Sequence, residues 1–454
     1  MKLWQTKKSV PLDPVVEQFT IGTDRIFDRF LVEFDAIASA AHAAMLAKQQ
    51  LITKTEFHKL QKILQEIAQQ SAAGKFSLKN FEDGHSAIEA ELIKKLGTLG
   101  GKIHLGRSRN DQSATAIRLF AKSKLLATRR QLLGTISELL HLAEKFEKVP
   151  MPGFTHTRPA MLTTVGHFFA AFAEALTDDL QILKSVTETF DACPLGAAAG
   201  FGTTIPVDRK LVAKLLGFKK VENNTLRTQL ARGGMELAVL SALGNATITS
   251  SRLANDLIYF SAPEFKFFDL KDNISTGSSI MPQKRNPDPL EISRGTAGVI
   301  LGQYVKVAGI VKGLSAGYQR ELQLTKQPLI EGLMLTENSF ESLSIVLRNL
   351  IVNKKQLAKA AKNPQIYATE FANNLVIKKG LSFREAYRES KKIFADAVEL
   401  PQFDPTKTLA QTCGIGMPGN LNLGLTRKFV TTEKRTITNM QQKFVNTLAK
   451  IWQL

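Results

Sequence analysis

Apolar residues recur at intervals of three and four along most of the chain, which is the spacing of one face of an α-helix. They do so over residues 24–50, and residues 53–56, Thr-Lys-Thr-Glu, are typical of the start of a second helix. The same spacing continues for longer in five later segments, residues 112–148, 164–190, 235–260, 290–311 and 329–352. A helix over residues 112–148 would span about 55 Å. An average helix is much shorter, with about 11 to 12 residues. The pattern therefore predicts a fold built on five unusually long helices.

Several of these segments carry apolar residues on more than one side, which is typical of a bundle that also buries surface against other subunits. A chain of 454 residues is longer than one hydrophobic core usually serves. We therefore predict an all-α fold of three domains. They are an N-terminal helical domain over residues 1–106, a central bundle of five long helices over 107–352 and a C-terminal helical domain over 353–454.

Composition bears on location and cofactors. There is no run of about 18 uncharged apolar residues and no signal-peptide pattern, so we expect no association with a membrane. The two cysteines, Cys193 and Cys413, form no disulfide framework and fit a reducing compartment, which predicts a cytoplasmic protein. The seven histidines have no metal-ligand spacing, and no glycine-rich phosphate loop is present. We therefore expect no metal and no cofactor.

The net charge of +19 allows three interpretations. They are a lysine-rich solvated surface, attraction of anionic substrates and nucleic-acid binding. The lysines are spread along the chain in short pairs, and no nucleic-acid recognition motif accompanies them. A solvated surface is therefore favoured first and substrate attraction second, and no nucleic-acid partner is expected.

Residues 275–291 combine several groups that could bind an anion. Gly277 is followed by the hydroxyls of Ser278 and Ser279, and Lys284 and Asn286 come just before a predicted helix. A helix N-terminus and a lysine both attract negative charge, so such a segment can close over an anionic ligand. Taken alone, a Gly-Ser-Ser sequence is more often an ordinary exposed turn.

Two other segments contain candidate site residues. Residues 106–112, G-R-S-R-N-D-Q, place the guanidinium groups of Arg107 and Arg109 and the amide of Asn110 at a predicted helix start. That arrangement can receive a carboxylate, although a helix cap with surface charges is the simpler alternative. In residues 153–156, G-F-T-H, His156 is a candidate acid or base because histidine titrates near neutral pH. A lone histidine is more often structural.

These segments also resemble known motifs. Residues 277–287 match the G-S-S-x-M-P-x-K-x-N-P signature of the fumarase/aspartase superfamily, whose members break a C–N or C–O bond beta to a carboxylate and release fumarate. The string G-R-S-R-N-D-Q, together with E-D-G-H at 82–85, resembles the argininosuccinate lyase family more narrowly. G-F-T-H is similar to that family's G-Y-T-H, C-P-L-G at 193–196 matches it, and residues 313–326 are similar to its G-L-P-x-x-Y-x-x-D-x-Q-x-x-K run.

The resemblance implies the reaction and the roles of residues. The reaction would be β-elimination of argininosuccinate to arginine and fumarate in arginine biosynthesis. By this resemblance Ser278 removes the proton, Lys284 activates Ser278, and His156 with Glu291 assists proton transfer across subunits. The implied substrate contacts are Arg109, Asn110, Thr155, Asn286, Tyr318, Gln323 and Lys326. The resemblance also implies a homotetramer whose active sites are shared between subunits.

Three alternatives stay open from the sequence. Adenylosuccinate lyase or fumarase would share the Gly-Ser-Ser loop, but neither is expected to carry G-R-S-R-N-D-Q. A catalytically silent structural homologue would lose site residues, whereas Ser278, Lys284 and His156 are present. A helical nucleic-acid binder would rest on charge alone.

Overall fold

The computed structural model describes residues 10, 12–396 and 401–454, which are mostly helical. The N-terminal helices are α1 Pro14–Ile21, α2 Asp24–Phe27, α3 Val32–Lys48, α4 Lys54–Ala72, α5 Gly84–Leu96 and α6 Thr98–Gly101. The capping box predicted before α4 is present: Glu56 N donates to Thr53 Oγ1, and Thr53 N donates to a carboxylate oxygen of Glu56.

The central helices are α7 Arg109–Lys145, α8 Val165–Thr189, α9 Arg209–Leu215, α10 Arg227–Ser261, α11 Asp288–Val311 and α12 Lys326–Arg348. The strands are β1 Pro150–Thr155, β2 Arg158–Thr164, β3 Ala192–Cys193, β4 Lys220–Val221, β5 Phe268–Leu270, β6 Thr276–Gly277, β7 Arg285–Asn286 and β8 Leu350–Val352. After them come α13 Lys354–Ala360, α14 Ala368–Lys379, α15 Phe383–Asp396, α16 Pro405–Gln411 and α17 Gly424–Lys450. The all-α prediction is confirmed, and the five predicted long helices are α7, α8, α10, α11 and α12.

Two boundaries of the five long helices differ from the prediction by four residues or more. Helix α12 ends at Arg348, and β8, which the sequence pattern assigned to that helix, pairs antiparallel with β5. Helix α10 begins before residue 235 and is interrupted at Arg232 and Gly233, where Gly233 has a φ of 79°. A side chain at residue 233 would lie within 2.2 Å of Val311, so both the backbone conformation and the close approach require glycine.

Hydrogen bonds show how the first two long helices, α7 and α8, are oriented. Val165 N at the start of α8 donates to Val149 O, just beyond the end of α7. After α8, the loop that follows β3 returns to the start of α7, where Gly196 N donates to Asp111 Oδ2 over 2.9 Å. We call the end where α7 begins the proximal end, which contains residues 107–110 and 318–326. The opposite end, with residues 150–164 and 268–291, is the distal end.

The other helices run between the same two ends. Helix α10 finishes at the distal end, where the Phe260 ring packs 5.4 Å from that of Phe154 in the β1–β2 hairpin. Helix α11 packs antiparallel on α10, because Ser251 Oγ donates to Arg294 O near the start of α11 and Gly233 lies beside Val311 at its end. It therefore begins at the distal end. Helix α12 begins at the proximal end, where Lys326 contacts Asp24 near the N-terminus. Each of these five helices therefore presents one terminus at each end.

Two principal hydrophobic cores stabilise this arrangement. The first lies among α7, α8, α10 and α12, and the second lies among α3, α4 and α5 and includes Phe444 and Leu448 of α17. Within the described residues no single helix is long and apolar enough to cross a membrane, although Asp24–Phe30 and Val32–Lys48, which meet at a 63° bend, pass together on length and composition. The domain limits at 106 and 352 stay predictions.

Candidate active site

The start of α7 is held in place by Ser108 and Asp111. Ser108 Oγ accepts the N–H of Asn110, and Ser108 N donates to Asp111 Oδ1 over 2.9 Å. Asp111 Oδ2 accepts N–H groups from Gly196 and Ala198 at 2.9 and 2.8 Å. Burial raises the pKa of Asp111 to about 6, although these three backbone N–H donors favour its charged form. The motifs at 106–112 and 193–196 are therefore one structural unit.

Arg107 and Gln112 point into a buried polar network and away from solvent. Arg107 Nη1 donates to Ser39 Oγ over 2.8 Å, and Gln112 Nε2 donates to Asp35 Oδ1 over 2.8 Å. Asp35 also pairs with His85 Nδ1, and this contact raises the pKa of His85 against the opposing effect of burial. The expectation that two guanidinium groups face a ligand here is corrected, because Arg107 is buried and engaged.

Arg109 is the accessible cation of this segment. Its Nη1 contacts Glu82 and lies 3.5 Å from Asp83 Oδ2. Burial disfavours the charged form of Arg109, but the two carboxylates outweigh that effect and raise its pKa. In the described part of the chain the side-chain amide of Asn110 makes no hydrogen bond. Arg109 is thus charged and oriented at the helix N-terminus, beside an amide that can bind a ligand.

Lys326 lies at the proximal end, where its charge is already paired. Its Nζ is 2.6 Å from Asp24 Oδ1 and 2.6 Å from Asp28 Oδ1, and all three side chains are buried. Asp28 Oδ2 also accepts the N–H of Gly84, at the start of α5. Lys326 lies near the other predicted substrate contacts of the proximal end. Its ammonium group, however, is bound by carboxylates and joins α12 to the N-terminal helices.

Gln323 and Tyr318 are also at the proximal end. Gln323 Nε2 donates to the carbonyls of Thr20 and Ile21, both at 3.0 Å. Tyr318 is half-buried in the segment before α12. Gln323 therefore holds the N-terminal segment at the proximal end. The other predicted contacts of this end are Arg109, Asn110, Tyr318 and Lys326. Their roles as substrate contacts stay predictions.

His156 occupies the tip of a β-hairpin that the sequence pattern did not predict. Thr155 pairs with Arg158, which leaves His156 and Thr157 as a two-residue turn with φ of 52° and 59°. Positive φ at both positions is the conformation of a type I′ turn, which normally favours glycine or asparagine. Each such residue stores about 1 to 3 kcal/mol of strain. The chain thus holds an exposed imidazole in an unfavourable conformation.

The hairpin is anchored by Phe154. Its ring lies 5.4 Å from that of Phe260 and 5.7 Å from that of Phe265. The register shifts between Gly153 and Phe154, so the strand is irregular just before its tip. This packing sets the direction of the tip and makes a strained turn tolerable.

Ser278 lies in a loop closed by pairing of β6 with β7. Its Oγ accepts the N–H groups of Ile280 at 3.3 Å and Met281 at 3.1 Å. Two backbone donors favour negative charge on that oxygen and therefore favour release of its proton. The loop therefore supplies two backbone donors to Ser278, and the role of Ser278 as the proton acceptor stays a prediction.

The other predicted groups of this loop are partly or fully exposed. Lys284 and Glu291 are exposed, and Asn286 Nδ2 is 3.5 Å from Gly277 O. Glu291 lies in the first turn of α11, where a carboxylate is stabilised by the helix dipole. Across the described ranges neither Lys284 nor Glu291 forms an ion pair, so both are free to meet a ligand or another subunit.

The predicted residues therefore form two groups. Arg109 lies at the proximal end, whereas His156 and Ser278 lie at the distal end, and α7 with its 37 residues separates the ends by about 55 Å. A cavity of about 1360 Å³ beside the hairpin includes Thr155 but none of the other predicted site residues. One subunit therefore presents two separate halves of the predicted site.

Among the described residues no group of three or more His, Cys, Asp or Glu side chains could hold a metal ion. The network residues Asp24, Asp28 and Asp35 were not predicted. A signal was present, because three aspartates interrupt the apolar face of the first predicted helix.

Comparisons with known proteins agree with these motifs. Residues 6–302 match a family model described as Lyase. The chain is 39% identical over 388 residues to an argininosuccinate lyase of Thermotoga neapolitana. The matched region covers 85% of this chain and 96% of that protein. It is 38% identical over 424 residues to an argininosuccinate lyase of Sorangium cellulosum, with coverage of 93% and 97%.

Solved structures of low identity share the fold. An EDDS lyase in complex with formate has a TM-score of 0.79 at 23% identity, over 98% of this chain and 97% of that chain. The class II fumarase from Schistosoma mansoni has a TM-score of 0.69 at 17% identity, with coverage of 85% and 90%. These likenesses confirm the predicted fumarase/aspartase-like fold. Since its curated relatives match over nearly their whole length, the chain belongs to the argininosuccinate lyase family.

Proposed function

We propose that this protein cleaves argininosuccinate to arginine and fumarate in arginine biosynthesis. The observation that carries the proposal is the identity of 35 to 39% with curated argininosuccinate lyases over 85 to 93% of the chain. The presence of Arg109, His156 and Ser278 supports it, because a catalytically silent homologue would not need to keep them. The unpaired cysteines, buried Cys193 and exposed Cys413, support the predicted cytoplasmic location.

The reaction removes a weakly acidic proton from the carbon beside a carboxylate and then breaks the adjacent C–N bond. Ser278 Oγ takes the proton, and its two backbone donors stabilise the oxygen in the charged form that can accept it. Negative charge then builds up on the substrate carboxylate, where Lys284 and Asn286 offset it. The leaving guanidine nitrogen gains a proton, a step that His156 and Glu291 assist.

The complete site requires more than one subunit. Within one chain, Ser278 and Arg109 lie at opposite ends of a bundle about 55 Å long and cannot contact one substrate molecule. Helix α11 also leaves large apolar side chains exposed, and these include Ile292 at 68%, Val299 at 50% and Val305 at 66%. Such a surface is typical of a subunit interface. A homotetramer with sites shared between subunits, and argininosuccinate as the small-molecule ligand, explains both features.

Activity can be tested by following the ultraviolet absorbance of fumarate with argininosuccinate and, separately, with adenylosuccinate. We expect fumarate and arginine from argininosuccinate only, and the Ser278→Ala variant provides the background. Release of fumarate from adenylosuccinate but not from argininosuccinate would refute the proposed substrate.

Shared sites can be tested by mixing two inactive variants, Arg109→Ala and Ser278→Ala, under conditions that exchange subunits. Hybrid tetramers would combine an intact proximal end from one subunit with an intact distal end from another, so up to about one site in four should recover. Mixing Ser278→Ala with His156→Asn asks whether these two distal residues come from different subunits. An active monomer in light scattering would contradict the shared site.

A further inference from the structure

A cavity of about 830 Å³ opens on the side of the molecule, between α7, α9, β4 and α17. It contains none of the predicted active-site residues. Its size is within the range of about 300 to 1,000 Å³ that is usual for pockets holding small organic ligands. Its lining includes the lysines Lys122, Lys210, Lys214, Lys219, Lys220 and Lys443.

The charge of this lysine pocket is not balanced. Asp191 is the single carboxylate in the lining, and Lys122 Nζ binds it at 2.7 Å while also donating to Gly217 O. The other five lysines are exposed, and in the ranges that the structure describes none of them forms an ion pair. Five like charges around one concavity repel each other, and an anion would relieve that repulsion.

This clustering exceeds the general basicity of the chain. Six of the 15 lining residues are lysines, whereas lysine and arginine together account for 60 of 454 residues. The lysines come from separate elements, since Lys214 lies on α9, Lys220 in β4 and Lys443 on α17. A solvated face of one helix therefore does not explain them, and the fold itself brings these charges together.

The floor of the pocket is apolar. Phe218 and Phe444 are only 7% and 6% exposed, and Leu126 lies beside them. The ammonium group of Lys122 is 5.5 Å from the Phe218 ring and 5.4 Å from the Phe444 ring, which fixes it between floor and rim. The pocket thus offers apolar contact below and positive charge above.

We propose that this lysine pocket binds a small organic anion that carries more than one phosphate group. Lysine binds phosphate as a mobile point charge, so several lysines suit a ligand with several negative charges. The apolar floor suits a ligand with an uncharged organic part, such as a nucleotide. A nucleic acid needs an extended basic surface, whereas these lysines converge on a concavity. The proposal goes beyond the lyase reaction and does not depend on it.

Isothermal titration calorimetry of the intact protein, with ATP as the probe at about 0.05 M salt, tests this site. We expect saturable binding that weakens as salt is raised, because exposed charges are screened over about 10 Å at 0.1 M ionic strength. Pyrophosphate, which lacks the organic part, should bind about tenfold more weakly. Equal affinity for the two probes would overturn the proposed role of the apolar floor.

Variants locate the binding. The triple substitution Lys214→Gln, Lys220→Gln and Lys443→Gln should weaken ATP binding at least about tenfold. A control with the same change of net charge, Lys62→Gln, Lys428→Gln and Lys434→Gln, alters exposed lysines outside the pocket and should change affinity less than about twofold. Absence of saturable binding at low salt, equal weakening in both variants, or displacement of ATP by argininosuccinate would each overturn the proposal.

Discussion

Replacing Lys326 by methionine should destabilise the protein at neutral pH, whatever it does to substrate binding. Lys326 is 5% exposed, and it is the shared partner of Asp24 and Asp28, which are 6% and 2% exposed. Lys326→Met keeps most of the side-chain volume but leaves two buried carboxylates without their cation. Removing one partner of a buried ion pair typically costs about 3 to 5 kcal/mol, so we expect a loss of that order at pH 7.5.

The loss should be smaller at pH 5. Burial already raises the pKa of Asp24 to about 6, although Lys326 opposes this effect. Without the lysine the pKa rises further, so the folded state binds protons that the unfolded state, with a pKa near 3.8, does not. Stability of the variant then increases as pH falls, by about 1.4 kcal/mol for each pH unit below the raised pKa. The loss relative to the unchanged protein shrinks only between that raised pKa and about 6, because below pH 6 the carboxyl of Asp24 takes up a proton in both proteins.

Urea denaturation followed by circular dichroism at fixed subunit concentration measures both quantities. Lys62→Met, an exposed change of the same chemistry, is the control. Adding Asp24→Asn to Lys326→Met should restore part of the stability, because it removes one unpaired carboxylate. A loss below about 1 kcal/mol at pH 7.5, accompanied by a large rise in KM, would show that Lys326 serves the substrate and not the fold.

Three further outcomes are expected. Ser278→Ala should lower kcat and kcat/KM together by about 100- to 10,000-fold in the fumarate assay, with Ser279→Ala as control, and near-normal turnover would assign the proton to another group. Thr157→Gly should stabilise the protein in urea by about 1 kcal/mol, since it removes a φ of 59° from a β-branched residue, and a loss of stability would contradict strain in that turn. Burial, with a smaller effect of Arg107, lowers the pKa of His42 from 6.5 to about 3. The contribution of neutral His42 to stability should therefore fall by about 2 kcal/mol as pH drops from 7 to 5. The stability of the unchanged protein minus that of His42→Leu should decrease by this amount, and a difference that does not vary with pH would reject it.

The long helices could be predicted because their apolar stripes run for six turns or more, which leaves little ambiguity in the period. The β1–β2 hairpin could not. Its strands contain Pro150, Pro152 and Pro159, and it has a register shift at Gly153, so no alternation of polar and apolar residues marks it. The hairpin is held by packing of Phe154 on rings far away in the sequence, which local patterns do not show.

The candidate site was predictable where its chemistry is local. The serine of the 277–287 motif and the donors that serve it lie within three residues of each other, so the motif contains the whole arrangement. Lys326 and Gln323 are different, since their partners Asp28 and Thr20 lie 298 and 303 residues away in the sequence. Their spacing in the sequence could not show that the N-terminal segment already occupies their polar groups.

If the site is divided between the two ends of the bundle, as proposed, these contacts orient each half before subunits associate. If the proximal end receives a substrate carboxylate, as proposed, Arg109 must be positioned before another subunit associates, and Glu82 and Asp83 already orient its guanidinium group. At the distal end, the backbone donors around Ser278 are likewise supplied within its own loop. Each half is therefore organised within one chain, and in the proposed tetramer association would bring together groups that are already oriented. Most of the free-energy cost of ordering the site would then be part of folding. Little of that cost would accompany the binding of subunits and substrate.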